Sequence, residues 1–144
     1  MKRKLNCILL IEDNRFTNIF NSKMIQGMHI AEHIHIAENG QEGLNYLTNS
    51  GKFIAGGTNY PKPDLIILDI NMPIMNGWEF IEEYKKLSPD QKSEIVLLML
   101  TTSPNPDDEQ RAKKIKEITD FRRKLLTREM LEDIIKKYFP GYFL

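Results

Sequence analysis

Several positions in the sequence carry groups that could do chemistry together. The run CILLIEDN (7–14) passes from four aliphatic residues straight into two carboxylates, Glu12 and Asp13. DLIILD (64–69) ends on Asp69. EIVLLML (94–100) gives way to the hydroxyls of Thr101, Thr102 and Ser103, and Lys124 follows the weaker run ITDF (118–121). Each group stands where an apolar run stops. There a buried strand leaves the core, and its last side chains either meet solvent or are delivered to a site.

Brought together, the three acids would repel one another and rise in pKa. A divalent cation resolves that conflict. Mg²⁺ takes a few oxygen ligands and keeps several waters, which suits two carboxylates and a backbone carbonyl. A carboxylate beside Mg²⁺, a hydroxyl and an ammonium form a site for phosphoryl transfer, with the carboxylate as nucleophile and an aspartyl phosphate as product. The metal and Lys124 would offset charge on the phosphoryl oxygens, and Thr101 would donate a hydrogen bond. Thr101 is favoured over Thr102 because it directly follows the apolar run.

The elements that must position these groups can be read from patterning. Four nearly continuous apolar runs, 6–11, 33–37, 64–69 and 94–100, read as buried parallel strands, and 118–121 as a weaker fifth. Helices are predicted between them. Asn14 caps one over 15–26 carrying Phe16, Ile19, Phe20 and Met24. Asn39 with Glu42 gives a capping-box-like start for 40–49. Asn76 opens a helix with Trp78, Ile81, Tyr84 and Leu87 near one face. Asn105, Pro106 and the acids at 107 and 108 start another. Thr127 caps a last one, with Leu131, Ile134, Ile135 and Tyr138 at helical spacing. The alternation predicts an α/β fold: a doubly wound, five-stranded parallel sheet with right-handed crossovers. With strand order 2-1-3-4-5, the ends of the first and third strands flank the topological switch point, where such sheets bind ligands. Residues 13 and 69 would then meet although 69 − 13 = 56 positions separate them. The stretch SGKFIAGGTNYPKP (50–63) is a long loop outside this rhythm.

With these residues in hand, the chain resembles a response-regulator receiver domain of the single-domain chemotaxis type. The likeness is carried by Glu12-Asp13, by LDINMPIMNGWEF around Asp69, by LTTS at 100–103 and by Lys124, in order along nearly the whole chain. It implies a flavodoxin-like receiver fold in which Asp69 accepts a phosphoryl group from a histidine kinase or phosphotransfer protein. Asp13, Asp69 and the carbonyl of Asn71 would hold Mg²⁺, with Glu12 acting largely through water. Thr101 would be the switch hydroxyl, Phe121 the aromatic switch position, and Asn71 and Ser103 would tune hydrolysis of the acyl phosphate. Movement of Phe121 with Thr101 would alter the surface of the fourth helix, fifth strand and fifth helix. The family usually has proline after the lysine, commonly through a cis bond; here it is Leu125, which leaves the geometry of that bond open.

At 144 residues the chain fits one domain, 1–144, and the 144 − 124 = 20 residues after Lys124 leave no room for an output domain. Output by contact with a downstream protein target is expected. A formal net charge of zero gives no general attraction to nucleic acid or anionic membrane. The start MKRKLNCILLI imitates a signal peptide, but its apolar part is too short and no cleavage site follows. No run approaches the roughly 20 apolar residues of a membrane span, and the lone Cys7 cannot form an internal disulfide. A cytoplasmic protein is expected. His29, His33 and His35 lack a ligand pattern, and the basic residues 111–123 lack a recognition helix or aromatic platform for nucleic acid. Three rival readings stand beside the phosphoacceptor. One is a receiver fold that signals without phosphate. An aspartyl-nucleophile phosphatase would need an acid at 71, where Asn71 stands, and a flavodoxin-like cofactor binder would need a phosphate loop where EDN stands.

Overall fold

The structure, a computed structural model, describes residues 4–54, 60–100 and 105–142. Five strands alternate with five helices: β1 (Leu5–Ile11), α1 (Arg15–Met28), β2 (Ala31–Ala37), α2 (Gly40–Leu47), β3 (Leu65–Asp69), α3 (Gly77–Tyr84), β4 (Ile95–Leu100), α4 (Pro106–Lys114), β5 (Asp120–Arg123) and α5 (Arg128–Tyr138). All four strand pairings are parallel and the order is β2-β1-β3-β4-β5, as the alternation predicts.

β1, β3 and β4 are almost wholly apolar because both sheet faces are covered there, while the edge strands β2 and β5 are half-buried and carry polar residues. From Cys7 onward, successive β1 residues face opposite cores. Cys7, Leu9 and Ile11 pack with Leu44, Phe80, Ile81 and Tyr84 on one side. Leu5, Ile8 and Leu10 pack with Ile25, Leu131, Ile134 and Ile135 on the other. The register pairs Ile11 with Leu68 and Asp69 with Met99, so β1, β3 and β4 end at one rim.

Helix starts follow the cap residues. Asn14, Asn39, Asn76 and Thr127 each accept a hydrogen bond from the backbone N–H three residues on. The reciprocal capping box forms at Asn76 and Glu79 rather than at Asn39. Glu42 instead accepts from the Glu38 N–H (3.0 Å) and pairs with Lys52 (2.9 Å).

Two expectations are corrected, for the fifth strand and the third helix, and the facing of α1 is settled by the structure. The fifth strand is Asp120–Arg123 rather than 118–121, because Ile118 is used as a buried plug ahead of the strand while the half-buried DFRR makes the pairing with β4. The third helix ends at Tyr84, so Leu87 packs on the core from beyond its end. Helix α1 carries its apolar stripe outward: Phe16 is 83% and Phe20 63% exposed, while Asn18, Asn21 and Ile25 face inward.

The described parts of the long segment after α2 are packed. A 3-10 turn at Gly51–Phe53 buries Phe53, which meets Tyr46 and Tyr60 edge-on, and His35 of β2 closes the group. The Tyr46 hydroxyl donates to the Pro61 carbonyl at 2.7 Å.

Candidate functional site: an acidic rim bridged by a lysine

The turn after β1 carries Glu12, which is 6% exposed, and the exposed Asp13. The end of β3 carries Asp69, 3% exposed. One carboxylate oxygen of each lies within 4.8 Å of the others, so the three predicted acids do converge. Among the described residues this is the group of His, Cys, Asp and Glu that could gather on one ion. His33 and His35 stack on each other inside the aromatic group of β2 and lie outside it.

Lys124 enters from the end of β5. Its Nζ lies 2.9 Å from Glu12 Oε1 and 3.0 Å from Asp69 Oδ1. The Lys124–Leu125 bond is cis. Burial pulls the lysine pKa down, but hydrogen bonds and attraction from Glu12 and Asp69 outweigh it, and the pKa is raised. For Asp13 burial is the leading cause, reinforced by Glu12, and its carboxyl is held above the ordinary value. Asp69 Oδ1 is also approached by the Asn71 N–H at 3.4 Å. Its other oxygen, Oδ2, is buried with no partner. A buried carboxylate oxygen without a donor is costly. Two further acids beside it make a cation the fitting occupant, and an all-oxygen donor set suits Mg²⁺ or Mn²⁺.

The loop after β3 is built around this position. The Gly77 N–H donates to the Ile70 carbonyl at 2.9 Å, and a Cβ on Gly77 would sit 2.7 Å from the Asp69 carbonyl oxygen and from Ile70 Cα. Glycine lets α3 start directly against the backbone of the phosphoacceptor candidate. Between them, the Met75 N–H closes a three-residue turn on the Pro73 carbonyl at 2.7 Å, with Ile74 at φ 69°. The Gly40 N–H then latches the Met75 carbonyl at 3.2 Å.

A cavity of about 250 Å³ opens beside Asp69, Glu12 and Lys124, with Phe16, Phe20 and Leu125 at its wall. All three side chains are exposed. Sequence reasoning missed this rim. The signal was present in α1 as Asn18 and Asn21, polar residues at i, i+3 that rotate the helix the other way.

The remaining predicted residues are placed as follows. Phe121 is half-buried, packs against the α2–α4 core, and its N–H donates to Asp120 Oδ1 at 2.8 Å. Thr101 and Ser103 lie outside the described residues. Of the basic set, Arg111 stacks over Trp78 at 4.4 Å, Arg123 pairs with Glu109 at 2.8 Å, and Arg122 with Asp133 at 2.6 Å. Among the described residues no helix is long and apolar enough to cross a membrane.

Residues 8–136 match the response regulator receiver domain family. The chain is 34% identical over 101 residues to response regulator Rcp1 of Synechocystis, covering 70% of this chain and 65% of that protein. It is 33% identical over 95 residues to a protein-glutamate methylesterase/protein-glutamine glutaminase of Desulfotalea psychrophila, covering 66% of this chain but 23% of that one. The chain thus spans less than two thirds of either relative. Among solved structures, a two-component response regulator from Cytophaga hutchinsonii superposes with TM-score 0.76 at 30% identity, covering 95% of this chain and 98% of that one. The Mn(2+)-bound form of Rcp1 superposes with TM-score 0.70 at 25% identity, covering 96% and 98%.

Proposed function

The chain belongs to the response regulator receiver domain family, and from that premise we propose that it is a response regulator whose Asp69 accepts a phosphoryl group in a Mg²⁺-dependent reaction. The observation that carries the reading is the convergence of Glu12, Asp13 and Asp69 on one rim with Lys124 among them.

In the proposed step a carboxylate oxygen of Asp69 forms a bond to phosphorus as the bond from phosphorus to the donor's imidazole nitrogen breaks. The electron pair of that bond stays with the ring, which takes up a proton from solvent. Lys124 already contacts Asp69 and is positioned to stay beside the new phosphoryl oxygens as a counter-charge. Glu12, Asp13 and Asp69, with the Asn71 carbonyl, would hold the metal, which when bound supplies positive charge against the phosphoryl group. Thr101 is assigned as switch hydroxyl, Phe121 as the aromatic that follows it, and Asn71 and Ser103 as residues that tune hydrolysis. The protein turns over no other substrate; it promotes its own phosphorylation and dephosphorylation.

The donor is a histidine kinase or phosphotransfer protein, and output is by contact with a downstream protein in the cytoplasm, without nucleic acid or membrane. A protein donor is supported by the exposed Phe16, Phe20 and Leu125, which wall the opening through which Asp69 is reached. The alternative is a receiver that signals without phosphate. Lys124 reaches Asp69 with Leu125 in place, which supports the phosphoacceptor.

Incubation with acetyl phosphate and Mg²⁺ tests the proposal. The intact mass is expected to rise by one phosphoryl group, with no rise in Asp69→Asn. An unchanged mass across donors and Mg²⁺ concentrations would sink it.

A further inference from the structure

Helix α1 places an amide where its neighbours' pattern calls for leucine. Asn18 is 4% exposed, on the inward face with Ile25. Burying a side-chain amide is unfavourable unless its hydrogen bonds are made. Here one is not: Oδ1 is buried and unpartnered. The other end of the amide does have a task. Nδ2 donates to the backbone carbonyl of Glu12 at 2.8 Å.

That contact completes a set of restraints on Glu12. Its N–H donates to the Ala37 carbonyl (3.0 Å), Oε2 accepts from the Asn14 N–H (3.2 Å), and Oε1 meets Lys124 (2.9 Å). Asn18 takes the carbonyl, and the carbonyl belongs to the peptide that links Glu12 to Asp13. Because a peptide unit is planar, fixing that oxygen fixes the plane, and the plane sets the direction in which Asp13 leaves the chain. Asp13 is the exposed member of the acidic group.

We propose that Asn18 is a positioning residue for the acidic pair: its amide holds the Glu12–Asp13 peptide so that Asp13 stands ready beside Glu12 and Asp69 for a divalent cation. This rests on the reading of the three acids as the Mg²⁺ site. Loss of a partner that orients metal ligands typically costs on the order of 10-fold or more in metal affinity.

The test compares Asn18→Leu, Asn21→Leu and the wild-type full chain. Mg²⁺ affinity of the unphosphorylated protein is measured by calorimetry, and melting temperature without metal is measured alongside. Asn18→Leu fills the same space and removes a buried unpartnered oxygen. It also leaves the Glu12 carbonyl without its donor, so its metal-free melting temperature is expected to stay near that of the wild type while its Mg²⁺ dissociation constant increases about 10-fold. Asn21→Leu, on the same inward face, is expected to bind Mg²⁺ as the wild type does. Asn18→His keeps an N–H donor and is expected to restore most of the affinity; it also serves if the leucine variant does not fold. Wild-type affinity in Asn18→Leu, or equal losses in Asn18→Leu and Asn21→Leu, would overturn the proposal. A wild-type chain that binds no Mg²⁺ would instead remove the metal site on which it stands.

Discussion

Lys124 reaches back across 112 positions of sequence to hold Glu12 at 2.9 Å, and the same ammonium touches Asp69. The side chains of Glu12 and Asp69 are 7% and 4% exposed, so each relies on that contact for a positive charge beside its backbone donors. Lys124→Met keeps the bulk and removes the charge. Leaving two buried carboxylates without their counter-ion is expected to lower metal-free stability by about 1–3 kcal/mol. Mg²⁺ should then raise the melting temperature of the variant by more than that of the wild type. Thermal melts with and without Mg²⁺ check both, and equal metal shifts in the two proteins would contradict the bridging role.

Asp13 gives a pH dependence with a definite sign. Its carboxyl is raised above the ordinary aspartate value of 3.8, by burial and by Glu12, so the folded chain holds that proton more tightly than the unfolded one. Ionised Asp13 therefore opposes folding above its folded-state pKa, and the opposition fades as pH falls through that value. Asp13→Asn is expected to raise the metal-free melting temperature at pH 7. The advantage should shrink on acidification and vanish below the unfolded pKa, where both proteins carry a neutral side chain. Mg²⁺ affinity of the wild type should fall with a midpoint above 3.8. Melting curves and calorimetry across pH 3–7 would show it.

Three glycines separate close approach from open space. A Cβ on Gly77 meets the backbone of Asp69 and Ile70, and one on Gly40 meets Met75 Cγ at 2.7 Å and its carbonyl oxygen at 2.8 Å. Backbone cannot swing aside as a side chain can. Gly77→Ala and Gly40→Ala are each expected to cost about 1–3 kcal/mol. Gly27, inside α1, has nothing within 4 Å of its would-be Cβ. Gly27→Ala should stabilise by about 0.5–1 kcal/mol through helix propensity. Denaturant titrations of the three variants test the contrast.

His35 carries a second pH dependence, far from the acids in the fold's plan. Burial, and then His33, lower its pKa below 6.5. The folded state thus takes up this proton less readily than the unfolded chain. The contribution of His35 to stability is complete above pH 6.5 and declines as pH falls from there toward the folded-state pKa. His35→Phe should flatten that stretch of the stability–pH curve and leave Tyr60 seated on the aromatic group. An unchanged slope would show that another group titrates there.

The fold was legible because buried parallel strands announce themselves as unbroken apolar runs, as β1, β3 and β4 do, and the half-buried β2 still carries Ile34 and Ile36 between its histidines. DFRR did not announce itself, because a half-buried strand at the sheet edge can be made of charged residues. The acids were legible because each closes a strand. The link from Lys124 to Glu12 was not: nothing local to either residue encodes a contact made by the path of the chain between them. Helix α1 misled for a different reason. Periodicity reports that a helix has two faces, and apolar content is then taken to mark the inner one. Asn18 and Asn21 reverse that assignment, since an amide can be buried when it has a hydrogen bond to make.

The outward aromatic ridge of α1 has a consequence for how such proteins diverge. Phe16, Ile19 and Phe20 lie outside both buried cores, so those positions are free to change without loosening the sheet. If the proposed phosphodonor docks on this ridge, a duplicated copy would change partner by drifting along it alone, with the inward face of the same helix left to hold the fold.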